Sequence, residues 1–397
     1  GAPGELVEFP LELKRRGISL IEAEVDGWGR REMTIGWIPN VQQVVNGKPT
    51  PFGVTNVSSA EASRIAQRLG FSWVRHFTSW ASLQPAPDVW KLEGMDRVLQ
   101  TNREYGLMPW ICLIGPPAWV QTDEPRNVGY APYAFDPAAL AQSVRVMSER
   151  WKGLIWGWEW QNEIVPGNDV PDPVANYLEF CRVGTEAARS VDPSLRVQMA
   201  GGLWPRNFRA ELLKRGIANY VDVVPVHYSN LDGVRDAQED IAAAGAKHVG
   251  VWDNETARGL SVWKMPLREM LQVRIQSRWV MDRWPDLLVA GAEHVTYFGG
   301  GSDPCGNWSY LLDESTPRPV AATLAVLISK LSHAQPIGKF YHSGGTLHLF
   351  AKDRRAILVA SPYGDGAIRG LRVSSPQVTI VDYQGNETSL ATPDGLM

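Results

Sequence analysis

Two short runs hold the residues best suited to chemistry: Trp158-Glu159-Trp160-Gln161-Asn162-Glu163 and Val251-Trp252-Asp253-Asn254-Glu255. Each is apolar and aromatic, and each ends abruptly in a carboxylate. Each reads as a buried strand whose last residue emerges into a site. Two glutamates presented in this way can break a glycosidic bond, one as acid and the other as nucleophile or base. Glu163 and Glu255 are therefore the candidate pair. Glu159, one strand period before Gln161, is expected to point outward or into a packed layer, outside the catalytic set.

The elements that must carry these residues alternate between buried strand and amphipathic helix from about 52 to 335. Strand one is Phe52 to Asn56, and Ser58 with Glu61 gives a capping-box pattern for a helix closed by Gly70. Strand two is Trp73 to Phe77, with a helix near Leu92 to Tyr105. Strand three is Met108 to Ile114, and Asp136-Pro137 opens the next helix. Strand four is Leu154 to Trp160, and Asp172-Pro173 opens its helix in the same way. Strand five is Leu195 to Met199, with a helix from Asn207 to Lys214. Strand six is Val221 to Val226, with a helix from Val234 to Ala244. Strand seven is His248 to Trp252, followed by a long helix from Leu267 to Trp284. Strand eight is His294 to Phe298, and Val320 to Leu331 is the last helix. Eight βα units in this order predict an α/β fold, a parallel (β/α)8 TIM barrel, over 51–335. The competitor is a doubly wound sheet, but no glycine-rich nucleotide fingerprint follows strand one.

In such a barrel the active site lies at the C-terminal ends of the strands. Asn56, Arg75, His76, Asn162, Glu163, His227, Tyr228, Asn254 and Glu255 all fall on that one rim. Chance would scatter them over both ends. The flanks differ in character. Residues 1–50 look extended and are expected to pack with the C-terminal segment. Residues 336–397 carry alternating strands and turn signals, as at Tyr363-Gly364-Asp365-Gly366, and read as a small accessory β-sandwich.

Composition narrows the partners. Of 397 residues, 44% are hydrophobic and 21% charged, as in ordinary globular proteins, and the net charge of −4 argues against a nucleic-acid partner. No apolar run reaches the length of a membrane span. Three scattered cysteines, Cys112, Cys181 and Cys305, make neither a disulfide framework nor a zinc set. His76, His227, His248 and His294 sit singly on separate strands, so neither a metal nor a cofactor is expected. The 17 tryptophans exceed what core packing asks for, and Trp faces stack well on sugar C–H faces. Trp80, Trp119, Trp204 and Trp252 fall on or near βα loops, where about half would line sugar subsites.

The chain resembles the clan A retaining glycoside hydrolases, most closely family 39, the β-xylosidase-like enzymes. Trp160-Gln161-Asn162-Glu163 matches the clan's Asn-Glu pair ending strand four, and Glu255 matches the nucleophile ending strand seven. The resemblance implies Glu163 as acid/base and Glu255 as nucleophile. It further implies that Arg75 orients the nucleophile and that His227-Tyr228 contacts it. The departures are Asp253-Asn254 before the nucleophile, where many relatives have Thr or Ser, and a strand-eight tip without Trp. Trp308, a few residues on, is the substitute.

These roles make physical demands. The nucleophile must be ionised, and Arg75 and Tyr228 are the neighbours expected to keep it so. The acid must be protonated. Aromatic surroundings and the charge of Glu255 are expected to raise Glu163, to about 6 as in other glycosidase acids. Asn162 is expected to donate to the sugar 2-OH, and a retaining enzyme should hold its carboxyl groups about 5–5.5 Å apart. His76 and His227 serve equally well as structural residues or substrate contacts. A carbohydrate substrate favours a secreted or periplasmic protein. β-Xylosides, α-L-arabinosides and internal polysaccharide bonds remain open, as does a non-catalytic sugar-binding barrel. Pro116 to Tyr133 is the candidate for one wall of the cleft.

Overall fold

The computed structural model describes residues 12–25, 27, 29–121, 135–166, 172–260, 266–300, 307–313, 315–363 and 367–396. Eight parallel strands close a barrel in sequence order. They are β1 (Phe52–Thr55), β2 (Trp73–Ser79), β3 (Met108–Ile114), β4 (Gly157–Asn162), β5 (Arg196–Gly201), β6 (Val223–His227), β7 (Gly250–Thr256) and β8 (His294–Tyr297). The outer helices are α1 (Ala60–Leu69), α2 (Glu93–Glu104), α3 (Pro137–Arg150), α4 (Pro173–Val191), α5 (Arg206–Lys214), α6 (Leu231–Ala243), α7 (Ile275–Ala290) and α8 (Pro319–Leu331). The expected TIM barrel is thus the observed fold.

Local chemistry explains the helix starts. Asp136 accepts from the backbone N–H of Ala138 and Ala139, and Asp172 from that of Ala175, each ahead of a first-turn proline. At α1 the cap is Ser59, not Ser58, and Glu61 pairs with Arg64 instead of closing a box. The long helix expected over 267–284 is a short turn at Leu267–Met270 followed by α7. α7 runs through Pro285, which removes one backbone donor without ending the helix.

Several strands extend further toward the rim than their apolar runs. β4 reaches Asn162 and β7 reaches Thr256, because polar rim residues still pair with their neighbours. At the opposite end the barrel floor is aromatic. Trp73, Trp110 and Trp252 are fully buried there, with Trp156 and His294 packed among them. Trp252 therefore lies deep in the barrel and not on a βα loop; its Nε1 donates to Glu293. Much of the tryptophan excess is core.

Small antiparallel sheets flank the barrel. A hairpin of Gly17–Val25 and Gly29–Trp37 forms a sheet of its own. A three-stranded sheet of Gln335–His342, Gly345–Lys352 and Arg355–Pro362 packs on α7. There His348 Nε2 lies 2.6 Å from Asp286 Oδ1, and Thr346 donates to Asp282 at 3.0 Å. A last hairpin, Gln377–Val381 with Glu387–Ala391, meets the N-terminal segment through the Arg16 backbone N–H, which donates to Asn386 at 2.8 Å. The turn at 364–366 lies outside the described residues.

Candidate active site

Strand alternation sends neighbouring side chains to opposite faces. On β2, Arg75 turns into the barrel and His76 turns out. His76 Nε2 lies 2.6 Å from Asn102 Oδ1 on α2, and burial pulls its pKa down to about 4. It is a packing residue between layers, which corrects the expectation that it supports the substrate.

Simple alternation fails where the carboxylates emerge. Gln161, Glu163 and Tyr228 have left-handed φ values of 71°, 46° and 45°, as does Asn56 at 53°. Such backbone costs on the order of 1–3 kcal/mol per residue and collects at functional sites. On β7 the device is a bulge. Val226 pairs with Asp253 but His227 pairs with Glu255, and the step from Asp253–Val295 to Thr256–Tyr297 also carries one extra residue. The bulge lets Asn254 and Glu255 both serve the interior.

Arg75 is the hub, fully buried. Its Nε and Nη2 donate to the two Glu159 oxygens at 2.5 and 2.8 Å, and its Nη1 donates to Glu255 Oε2 at 3.0 Å. Nη2 also reaches Asn162 Oδ1 at 2.7 Å. Burial alone would favour losing the Arg75 proton, but Glu159 and then Glu255 outweigh it and raise its pKa. Glu159 was expected to lie apart from the site. It is instead the principal partner of Arg75, and it also accepts from Asn254 Nδ2 at 3.0 Å and Gly201 N at 3.1 Å.

Tyr228 Oη donates to Glu255 Oε1 at 2.8 Å. Burial and the neighbouring charge push the phenol up, so it stays a donor. Because Asn162 gives its Oδ1 to Arg75, its Nδ2 is the end of the amide left to donate. Glu163 Oε1 lies 3.3 Å from His227 Nδ1, and its side chain is 44% exposed. One oxygen of Glu163, one of Glu255 and a nitrogen of His227 lie within 4.8 Å of one another. Among the described residues this is the group spaced to hold a cation, but the Arg75 guanidinium already occupies the Glu255 side.

The Glu163 carboxyl is not raised. The His227 hydrogen bond, opposed by partial burial and aided by the charge of Arg75, holds it below the ordinary range. The aromatic neighbours expected to desolvate it face the other way. Trp158 and Trp160 stack on each other at 5.4 Å, and Trp160 Nε1 donates to Thr185 on α4. Two glycines complete the pocket. A Cβ on Gly201 would stand 2.0 Å from His227 Nε2, and one on Gly202 2.9 Å from Glu163 Cγ.

The tryptophans divide. Trp80 is fully buried, bonded to Gln84 and edge-on to Trp119 at 6.2 Å, so it packs and does not line the cleft. Trp119 is half-buried and donates to the Gln84 carbonyl. Trp308 lies 5.5 Å from the Tyr228 ring and 5.9 Å from Phe298, at the site. Trp204 is 69% exposed on the β5 loop. Residues 122–134 of the expected cleft wall, and Cys305, lie outside the described residues.

No family model matches the sequence, and no curated protein does. Solved structures do. A family 39 glycoside hydrolase from Bacteroides cellulosilyticus aligns over 97% of this chain and 86% of its own, at TM-score 0.76 and 15% identity. A family 30 endoxylanase from Clostridium papyrosolvens aligns over 87% and 92%, at TM-score 0.61 and 15% identity. A family 5 enzyme from Streptomyces cattleya aligns over 73% and 83%, at TM-score 0.55 and 16% identity. At these identities the likeness is one of architecture: the chain has the (β/α)8 barrel fold seen in these glycoside hydrolases.

Proposed function

We propose that this protein is a retaining glycoside hydrolase acting on β-glycosidic bonds of an oligo- or polysaccharide. The observation that carries the reading is the approach of Glu163 and Glu255, with one oxygen of each within 4.8 Å. Retaining enzymes hold their carboxyl groups about 5–5.5 Å apart, whereas inverting enzymes need about 6.5–9.5 Å to admit water. In the first step Glu255 attacks the anomeric carbon while Glu163 gives its proton to the glycosidic oxygen, and the bond between them breaks. In the second step Glu163 takes a proton from water, whose oxygen displaces Glu255. Arg75 and Tyr228 hold the nucleophile in place. When Glu255 becomes an ester its charge is lost, but Arg75 keeps Glu159 and needs no new partner. Asn162 Nδ2 is the donor for the sugar 2-OH, a contact that strengthens in the transition state.

The test is the product anomer. With a β-configured oligosaccharide, proton NMR should show the β-product first. An initial α-product would overturn the assignment of Glu255. Glu255→Ala should lower kcat by about 10⁴-fold or more, while the variant still binds the oligosaccharide.

A further inference from the structure

We infer that Trp204 and Val165 form a leaving-group subsite, so that the preferred substrate carries a second sugar ring on the side of the departing oxygen. The inference rests on the glycoside-hydrolase reading and gives the cleft a direction. The proton donor must touch the glycosidic oxygen, so the departing ring lies beside Glu163. The β5 loop is wrapped on that residue. Trp204 N donates to Ile164 O at 3.4 Å, one residue beyond Glu163, and the Gly202 backbone closes on Glu163 Cγ. Trp204 is 69% exposed and Val165 55%, two large apolar side chains left in water on one edge of the rim.

The other edge has its own aromatic wall. Trp308 packs on Tyr228, whose hydroxyl holds Glu255, and β8 lies across the closed barrel from β4. The ring attacked by Glu255 therefore sits toward Trp308, and the departing ring sits toward Trp204. A pyranose offers a flat C–H face, the surface an open indole binds well in water. A leaving group without a ring would leave Trp204 unused.

The experiment compares two substrates of one glycone on wild type, Trp204→Ala and Trp204→Phe: a β-glycosyl fluoride and the matching β-1,4-linked disaccharide, run across xylose, glucose and mannose. The fluoride leaves as a single atom and makes no contact with the β5 loop. For Trp204→Ala, kcat/KM on the disaccharide should fall about tenfold or more, and on the fluoride it should change less than about twofold. Trp204→Phe should recover part of the disaccharide rate. Equal losses on both substrates, or no loss on either, would overturn the subsite. A wild type that turns over neither substrate would overturn the hydrolase reading itself, and the subsite with it. The exposed position of Trp204 makes misfolding an easily checked alternative, by an unchanged Tm.

Discussion

Arg75 serves two carboxylates with one positive charge, and this shapes what each residue around it can do. Glu159 takes two of its donors, so Arg75 is fixed before Glu255 is considered. Glu159→Gln keeps the shape and removes the charge. It should cost about 3 kcal/mol of stability by denaturant titration, as breaking a buried pair does. It should also lower kcat more than it raises KM, because Arg75 loses its anchor. The acid/base carries a different expectation. Glu163 is held below the ordinary carboxylate range, chiefly by its His227 hydrogen bond. The free protein's protonated fraction therefore falls as pH rises through the acid range. The basic limb of kcat/KM, which reports the free enzyme, should lie below that of kcat, where a bound sugar buries the carboxyl. His227→Gln should move the kcat/KM limb upward; an unmoved limb would separate His227 from Glu163. The placement of Glu163 and Glu255 was legible because acids that end apolar runs stand out. Glu159 was not, since a strand carries no mark of what its inward face meets across the barrel.

At the level of elements, the strands deliver their residues by breaking their own rule. Left-handed residues on β4 and after β6, and the bulge on β7, decide which side chains reach the interior. Period-two reading locates a strand, but the rim reading took Arg75 and His76 together, whereas the structure turns them to opposite faces. Period two cannot place a bulge, which depends on the register of both neighbouring strands. Strand ends were read too early for a related reason: apolarity marks the buried middle, while pairing continues through polar residues to the rim. β5 contributes space instead of chemistry. Gly201→Ala would drive a methyl into His227 and Asn254. It should cost about 1–3 kcal/mol as overpacking does and reduce kcat/KM by at least about tenfold, by steady-state kinetics. A fully active variant would show that His227 can move without consequence.

On the scale of the whole molecule, the order of eight βα units was legible because each strand and helix repeats a local pattern. How the flanks attach was not, because it depends on which side chains meet across the packed faces: Ile18, Phe350 and Val359 join the main core, and polar pairs stand beside them. Asp286 on α7 makes one such pair. Burial alone would raise its carboxyl, but hydrogen bonds from His348 and Lys339 outweigh burial and hold it below the ordinary range. A depressed acid contributes stability that is complete at neutral pH and drains as pH falls below about 4. Thermal unfolding followed against pH should show that loss, and Asp286→Asn should remove the acid-dependent part while lowering Tm at neutral pH.

The aromatic floor of the barrel has a spectroscopic consequence. Among the described residues, eight tryptophans, including Trp73, Trp110 and Trp252, are sealed from water, whereas Trp37 and Trp204 stand most open. Emission should thus divide into a blue population deaf to acrylamide and a small red population open to it. Trp204 lies beside Glu163 and the half-buried Trp308 beside Tyr228, so a sugar entering the cleft would be heard as a change on the long-wavelength side of a loud background.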